Sequence, residues 1–66
     1  MKGFGARLKA AREAAGLTQE NVAQMLHIHR TTYTKYECDK AEPPIEVLVK
    51  LTDVLEVSAD SLLTPQ

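Results

Sequence analysis

Apolar residues recur along the first third of the chain at helical spacing. Phe4, Leu8, Ala11 and Ala15 lie four, three and four residues apart, which is one stripe of an amphipathic helix. Gly16 follows where a left-handed closing residue is expected. Thr18 reads as the N-cap of a second helix, with Leu17 before it and Val22 placed to form a hydrophobic staple. Val22, Met25 and Leu26 make a short apolar face beside Ala23. This helix ends near His27, after about two turns.

Ile28 and His29 open a third helix. With His29 as its cap, Ile28 and Tyr33 form a second staple, and Tyr33, Tyr36 and Glu37 share one side. The opposite side carries Thr31, Thr34, Lys35 and Cys38, with Arg30 on its flank. Asp39 to Pro44 is a polar turn, and Pro44 suits the first turn of a fourth helix, where its missing N–H would be unpaired anyway. Ile45, Leu48, Thr52 and Leu55 then share a face, flanked by Val47, Leu51 and Val54. Ser58 is placed to cap a last short helix containing Leu62 and Leu63. No strand-like alternation, repeat or low-complexity linker interrupts the pattern. The expectation is an all-α domain of five short helices spanning residues 1–66.

Composition narrows what such a domain can do. A chain of 66 residues buries only about 60% of the surface that it exposes when unfolded, so a large catalytic cleft would compete with the core. No Ser/His/Asp set, paired-carboxylate cleft or glycine-rich phosphate loop can be assembled, and an enzyme is not expected. No apolar run approaches the ~20 residues of a membrane span, and no leader pattern opens the chain. The single cysteine, Cys38, has no internal partner, which suits a reducing cytoplasm. His27, His29 and Cys38 match no closed Cys/His spacing, so neither a metal nor another cofactor is expected. The net charge is −1, but it is unevenly spread. Residues 1–35 hold six basic against two acidic side chains, and residues 36–66 hold two against seven. A bipolar domain of this kind can still present a basic face to phosphates.

The informative unit is 18–37, a capped two-turn helix, a tight turn and a second capped helix. That spacing matches a helix-turn-helix, in which one helix braces on the DNA backbone and the next enters the major groove. The entering face must be polar and slender, and Thr31, Thr34 and Lys35 meet that requirement. Ala23 supplies the small residue that two steeply crossing helices need at their contact. Tyr33 and Tyr36, on the side shared with Ile28, are expected in the core rather than stacked on bases.

At this level the sequence resembles the Cro and phage-repressor type of helix-turn-helix domain, over about Phe4 to Leu63. The carriers are Leu8 and Arg12, then Gly16-Leu17-Thr18-Gln19 and Val22-Ala23-Gln24-Met25-Leu26. Arg30, Tyr36-Glu37, Pro43, Leu48, Leu51, Leu55, Val57-Ser58 and Leu62-Leu63 continue the pattern. The resemblance implies a compact five-helix, lambda-repressor-like bundle and a recognition helix from His29 to Glu37. Thr18 and Gln19 match positions that contact phosphate, where a helix N-terminus attracts anions. Arg30, Thr31, Thr34 and Lys35 match groove-facing positions. Arg12 and Glu37 match a buried ion pair tying the first helix to the third.

The chain departs from the family at three places. His27 stands where glycine is common, His29 where serine or threonine usually caps the recognition helix, and Asp39 where glycine is expected. Asp39 and Glu42 also make the following loop acidic, so weaker phosphate contact than is usual for the family is expected. The expected function is sequence-specific binding of double-stranded DNA in transcriptional regulation, with repression favoured because occupancy of a promoter suffices. The rival reading is a protein-interaction module, antitoxin-like or adaptor, on the same fold. A weak homodimer is expected through the C-terminal helices, from Val54, Val57, Ala59, Leu62 and Leu63, which exceed what one small core needs.

Overall fold

Residues 3–63 are described by a computed structural model, in which five α-helices follow one another with no strand among the described residues. α1 runs Phe4–Ala14, α2 Gln19–Leu26, α3 Arg30–Glu37, α4 Ile45–Leu55 and α5 Ala59–Leu63. The all-α, five-helix architecture is the one expected. Lys2 and the outer ends of the expected domain lie outside the described residues.

The four longer helices all end in the same way. Gly16, His27, Asp39 and Glu56 stand at φ 75°, 58°, 57° and 54°. After each, the next N–H reaches back five residues: Leu17 to Arg12 C=O, Ile28 to Ala23, Lys40 to Lys35 and Val57 to Thr52. These are Schellman closures, which satisfy carbonyls that the helix itself leaves unpaired. Three of the four left-handed positions are held by side chains other than glycine, and a left-handed L-residue costs roughly 1–2 kcal/mol. Short connections between tightly closed helices are what allow a chain of this size to turn back on itself.

α1 packs on α3 and α5, α2 on α3 and α4, and α4 on α5. Phe4, Leu8, Val22, Tyr33, Leu51 and Leu62 are almost wholly buried and form the centre, with Ala23, Leu26, Tyr36, Leu48 and Leu55 around them. The Tyr33 and Tyr36 rings meet edge to face at 6.4 Å. Such an edge-to-face pair adds about 0.5–1.5 kcal/mol beyond its buried area. Gly5 is also buried, and a Cβ there would lie 2.2 Å from the Glu37 carbonyl oxygen. Only glycine lets the start of α1 approach the end of α3 so closely.

Several sequence-based expectations need correction. Met25 is 49% exposed. The buried arc of α2 is centred among Val22, Ala23 and Leu26, and at about 100° per residue Met25 falls outside it. On α4 the buried face is Leu48, Leu51 and Leu55, while Ile45 is 68% exposed on a neighbouring strip with Val49 and Thr52. Pro44 is the N-cap of α4, one residue before the first turn. Ala15 is the exposed C-cap of α1, not part of its buried stripe. His29 occupies the N-cap of α3, yet its side chain makes no capping bond. Of the residues expected to be divided between the core and a dimer surface, Leu62 belongs to the core and Val54 and Val57 pack against it, which agrees with some of them filling the monomer's own core.

Candidate nucleic-acid interface

Local chemistry sets the start of α2. Thr18 Oγ1 accepts the Asn21 N–H at 3.0 Å, and Asn21 Oδ1 accepts the Thr18 N–H at 3.0 Å. This reciprocal capping box uses two of the first-turn donors. The N–H groups of Gln19 and Glu20 have no carbonyl one turn back, so they are left for an acceptor from outside. Sequence reasoning found Thr18 but missed Asn21, whose place three residues after the cap was the available signal.

Behind that terminus lies a chain of hydrogen bonds. Arg12 is 8% exposed, and its Nε lies 2.6 Å from Glu37 Oε2, with Nη2 at 3.3 Å from Oε1. Arg12 Nη1 also donates to the Leu17 carbonyl at 2.9 Å, fixing the turn that leads into α2. The Glu37 side chain, 3% exposed, further accepts from the Tyr33 hydroxyl and from Gln19 Nε2. Burial opposes the ionised form of Glu37, but its bonds from Arg12, Tyr33 and Gln19 outweigh it and hold the carboxyl below its ordinary range. The bond to Glu37 likewise raises Arg12. Burial, then Glu37, raises the Tyr33 phenol. The structure thus brings Arg12 and Glu37 together inside the fold, where α1, α2 and α3 converge.

The sequence-derived contact residues divide into two groups. Arg30, Thr31 and Lys35 are exposed on α3, and Thr18 is exposed at the start of α2. Gln19 and Thr34 are half-buried and joined to each other. Gln19 donates through Nε2 to Glu37 at 3.0 Å and accepts through Oε1 from the Thr34 hydroxyl at 3.0 Å. The Gln19 carboxamide is therefore engaged at both ends within the protein. This link across α2, α3 and the ion pair has no signature in sequence, because its members lie 15 to 25 residues apart.

Two further contacts were not expected from the sequence. Asp39, the acidic substitute for a glycine, turns its Oδ1 to the Gly5 N–H at 2.9 Å. α1 has no acid in its own first turn, so Asp39 supplies the negative partner that a helix N-terminus favours. Arg7 Nε donates to the Leu62 carbonyl at 2.7 Å, placing a cation at the end of α5. Among the described residues, no group of three or more His, Cys, Asp or Glu comes together to hold a metal. No helix of the described residues is long and apolar enough to cross a membrane.

This arrangement has counterparts. The helix-turn-helix family model matches residues 8–62. The chain belongs to the helix-turn-helix family. The SPbeta prophage-derived HTH-type transcriptional regulator YonR of Bacillus subtilis is 48% identical over 60 residues, 91% of this chain and 56% of its own length. The HTH-type transcriptional regulator ImmR of the same organism is 42% identical over 91% of this chain and 47% of its own. The cryptic phage CTXphi transcriptional repressor RstR of Vibrio cholerae is 43% identical over 56 residues, 85% of this chain and 50% of its own. This helix-turn-helix domain thus spans about half the length of the curated relatives it matches.

Proposed function

We propose that the domain binds double-stranded DNA sequence-specifically, with α3 in the major groove and the α2 N-terminus against a phosphate, and that it regulates transcription by repression. The observation that carries this reading is the division of α3. Tyr33 and Tyr36 are buried and Glu37 is anchored inward, while Thr31 and Lys35 stand exposed on the other side, with Arg30 exposed on its flank. A short helix held rigidly from behind, with two cations and a hydroxyl in front, is what the groove admits and phosphates attract. The relatives named as transcriptional regulators, one of them a repressor, support the same role. The place of action is then the cytoplasm, and the role is binding without catalysis.

The acting species is a two-fold dimer, since one recognition helix spans too few base pairs to select a site. Two copies reading half-sites about 34–36 Å apart solve this. A groove of about 180 Å³ between α4 and α5 is lined by Ile45, Leu48, Val49, Thr52, Ala59 and Leu63. The Thr52 hydroxyl is satisfied by the Val49 carbonyl, so it brings no unpaired donor to this apolar surface. A second copy is the occupant proposed, and the few exposed side chains available make it a weak dimer in solution, completed on DNA.

Selection of bound sequences from random duplexes tests the function. The expected result is an inverted repeat bound by two chains, with an affinity that falls steeply with salt as counterions are released. Arg30→Ala and Lys35→Ala should each weaken binding while leaving the melting curve intact. Unchanged affinity in both variants, or no selected duplex at all, would overturn the reading in favour of a protein-binding adaptor.

A further inference from the structure

The hydrogen bonds around Thr34 determine what that residue offers to a ligand. Its Oγ1 lies 3.0 Å from Gln19 Oε1 and 2.9 Å from the carbonyl oxygen of Arg30, one turn back on α3. A backbone carbonyl only accepts. The Gln19 carboxamide could in principle present either end, but Glu37 decides which. Arg12 and Tyr33 already donate to the Glu37 carboxylate, which has only acceptor oxygens, and Gln19 meets Glu37 Oε1 at 3.0 Å. Turning the amide over would set oxygen against anionic oxygen at that distance. The Gln19 nitrogen therefore faces Glu37, and its oxygen faces Thr34.

A threonine hydroxyl carries one hydrogen and two lone pairs. Both protein neighbours of Thr34 Oγ1 are acceptors, so the hydrogen stays within the protein whichever of them takes it. Only lone pairs remain to face outward. The Thr31 hydroxyl, exposed on the same helix and with no hydrogen bond among the described residues, keeps both capabilities.

Resting on the proposed placement of α3 in the major groove, we infer that Thr34 is a specificity-determining residue that acts as an acceptor only. It reads an exocyclic amino group, adenine N6 or cytosine N4, and it is not a phosphate contact. Phosphate oxygens, guanine O6 and N7, and thymine O4 are all acceptors and would meet a lone pair. The buried Arg12–Glu37 pair thus sets the polarity of a base contact at one remove, through the orientation of Gln19. Thr34 differs in this from Lys35, which can only donate.

Base identity alone does not settle the matter, because each base pair carries both a donor and an acceptor on its major-groove edge. Single-atom base analogues do. The experiment measures affinities of the full chain and its Thr34→Val and Thr34→Ser variants for a selected duplex. Each adenine is replaced in turn by purine and each cytosine by 2-pyrimidinone, which removes one amino group at a time, and each guanine by 7-deazaguanine, which removes an acceptor. At one position per half-site, amino removal should weaken the unaltered chain and Thr34→Ser by about 3- to 10-fold and leave Thr34→Val unaffected. The salt slope should be the same for all three proteins, since no phosphate contact is lost. Thr34→Val nearly preserves the side-chain shape, and equal melting temperatures confirm that its fold is kept. The inference is overturned if Thr34→Val loses affinity equally for every analogue. It is likewise overturned if the coupled atom is 7-deazaguanine's missing N7 or another acceptor, or if the salt slope falls. In those cases DNA binding stands and only the polarity fails. If no duplex is selected, both readings fail together.

Discussion

Replacing Glu37 by alanine removes the acceptor that four groups share. Arg12 donates to it through two nitrogens, Gln19 through one, and Tyr33 through its hydroxyl. The two charged side chains are 10% and 3% exposed, so the Arg12 guanidinium left behind would have little access to water. Breaking a buried pair by removing one partner costs roughly 3–5 kcal/mol. A domain of this length has a total stability of about 3–10 kcal/mol, so the loss is a large share of it. At about 4–8 °C per kcal/mol for a small domain, the melting temperature should fall by about 12–40 °C. Thermal melts followed by circular dichroism read this directly. Arg12→Met combined with Glu37→Met should recover much of the loss, because no buried charge is left alone. Acid titration gives an independent check. The Glu37 carboxyl is held below its ordinary value in the folded state, so its contribution is present above the unfolded value of about 4.3 and is lost as pH falls through the lower folded one. Glu37→Gln should therefore lack one step of acid destabilisation that the unaltered chain shows. A melting temperature within a few degrees of the original in Glu37→Ala, or identical acid profiles in Glu37→Gln, would refute the reasoning.

Gly5→Ala should destabilise by about 1–3 kcal/mol in denaturant titration, although alanine is the better helix former, because the new methyl meets the Glu37 backbone. A gain would show that α1 can move away from α3 freely. Glu56→Gly should raise stability by about 1 kcal/mol, since it relieves a left-handed side chain at the α4 end; an unchanged or lower unfolding midpoint refutes it. Asp39→Ala should lower stability by about 0.5–2 kcal/mol through loss of the bond to the α1 start, whereas a neutral result would mean that the Gly5 N–H finds water equally good. Leu63→Glu, at the edge of the apolar groove, should abolish the second copy on a selected operator, read by sedimentation, without altering monomer melting. A two-to-one complex retained by that variant refutes the α4–α5 interface.

What could be read from the sequence was whatever depends on neighbours along the chain. The helices, the Thr18 cap, the Gly16 stop and the inward side of Tyr33 and Tyr36 follow from spacings of three and four residues. The errors on Met25 and Ile45 came from treating every apolar residue near a stripe as part of it, when a helix of this small domain buries only a narrow arc. The contacts of Gly5, Arg7 and Asp39 were illegible for a different reason. Each depends on an atom 32 to 55 residues away, and nothing in local composition marks a backbone N–H or carbonyl as its partner. The link from Glu37 through Gln19 to Thr34 falls between these cases. Its residues were each singled out, yet only three-dimensional placement turned separate roles into one chain of bonds.

The attachment of Arg7 to the Leu62 carbonyl has a bearing on how the chain comes to fold during its synthesis. α1 packs on α3 and α5 and cannot complete its contacts from neighbouring sequence, since that bond spans 55 residues. At about 5–20 residues per second, roughly 3–11 seconds separate the appearance of Arg7 from that of Leu62. Phe4 and Leu8, two of the most deeply buried side chains of the finished domain, lack the cover of α5 throughout that interval. α1 is thus fully seated only once α5 appears, and nascent chains stalled before Leu62 should leave part of its apolar face open to chaperones.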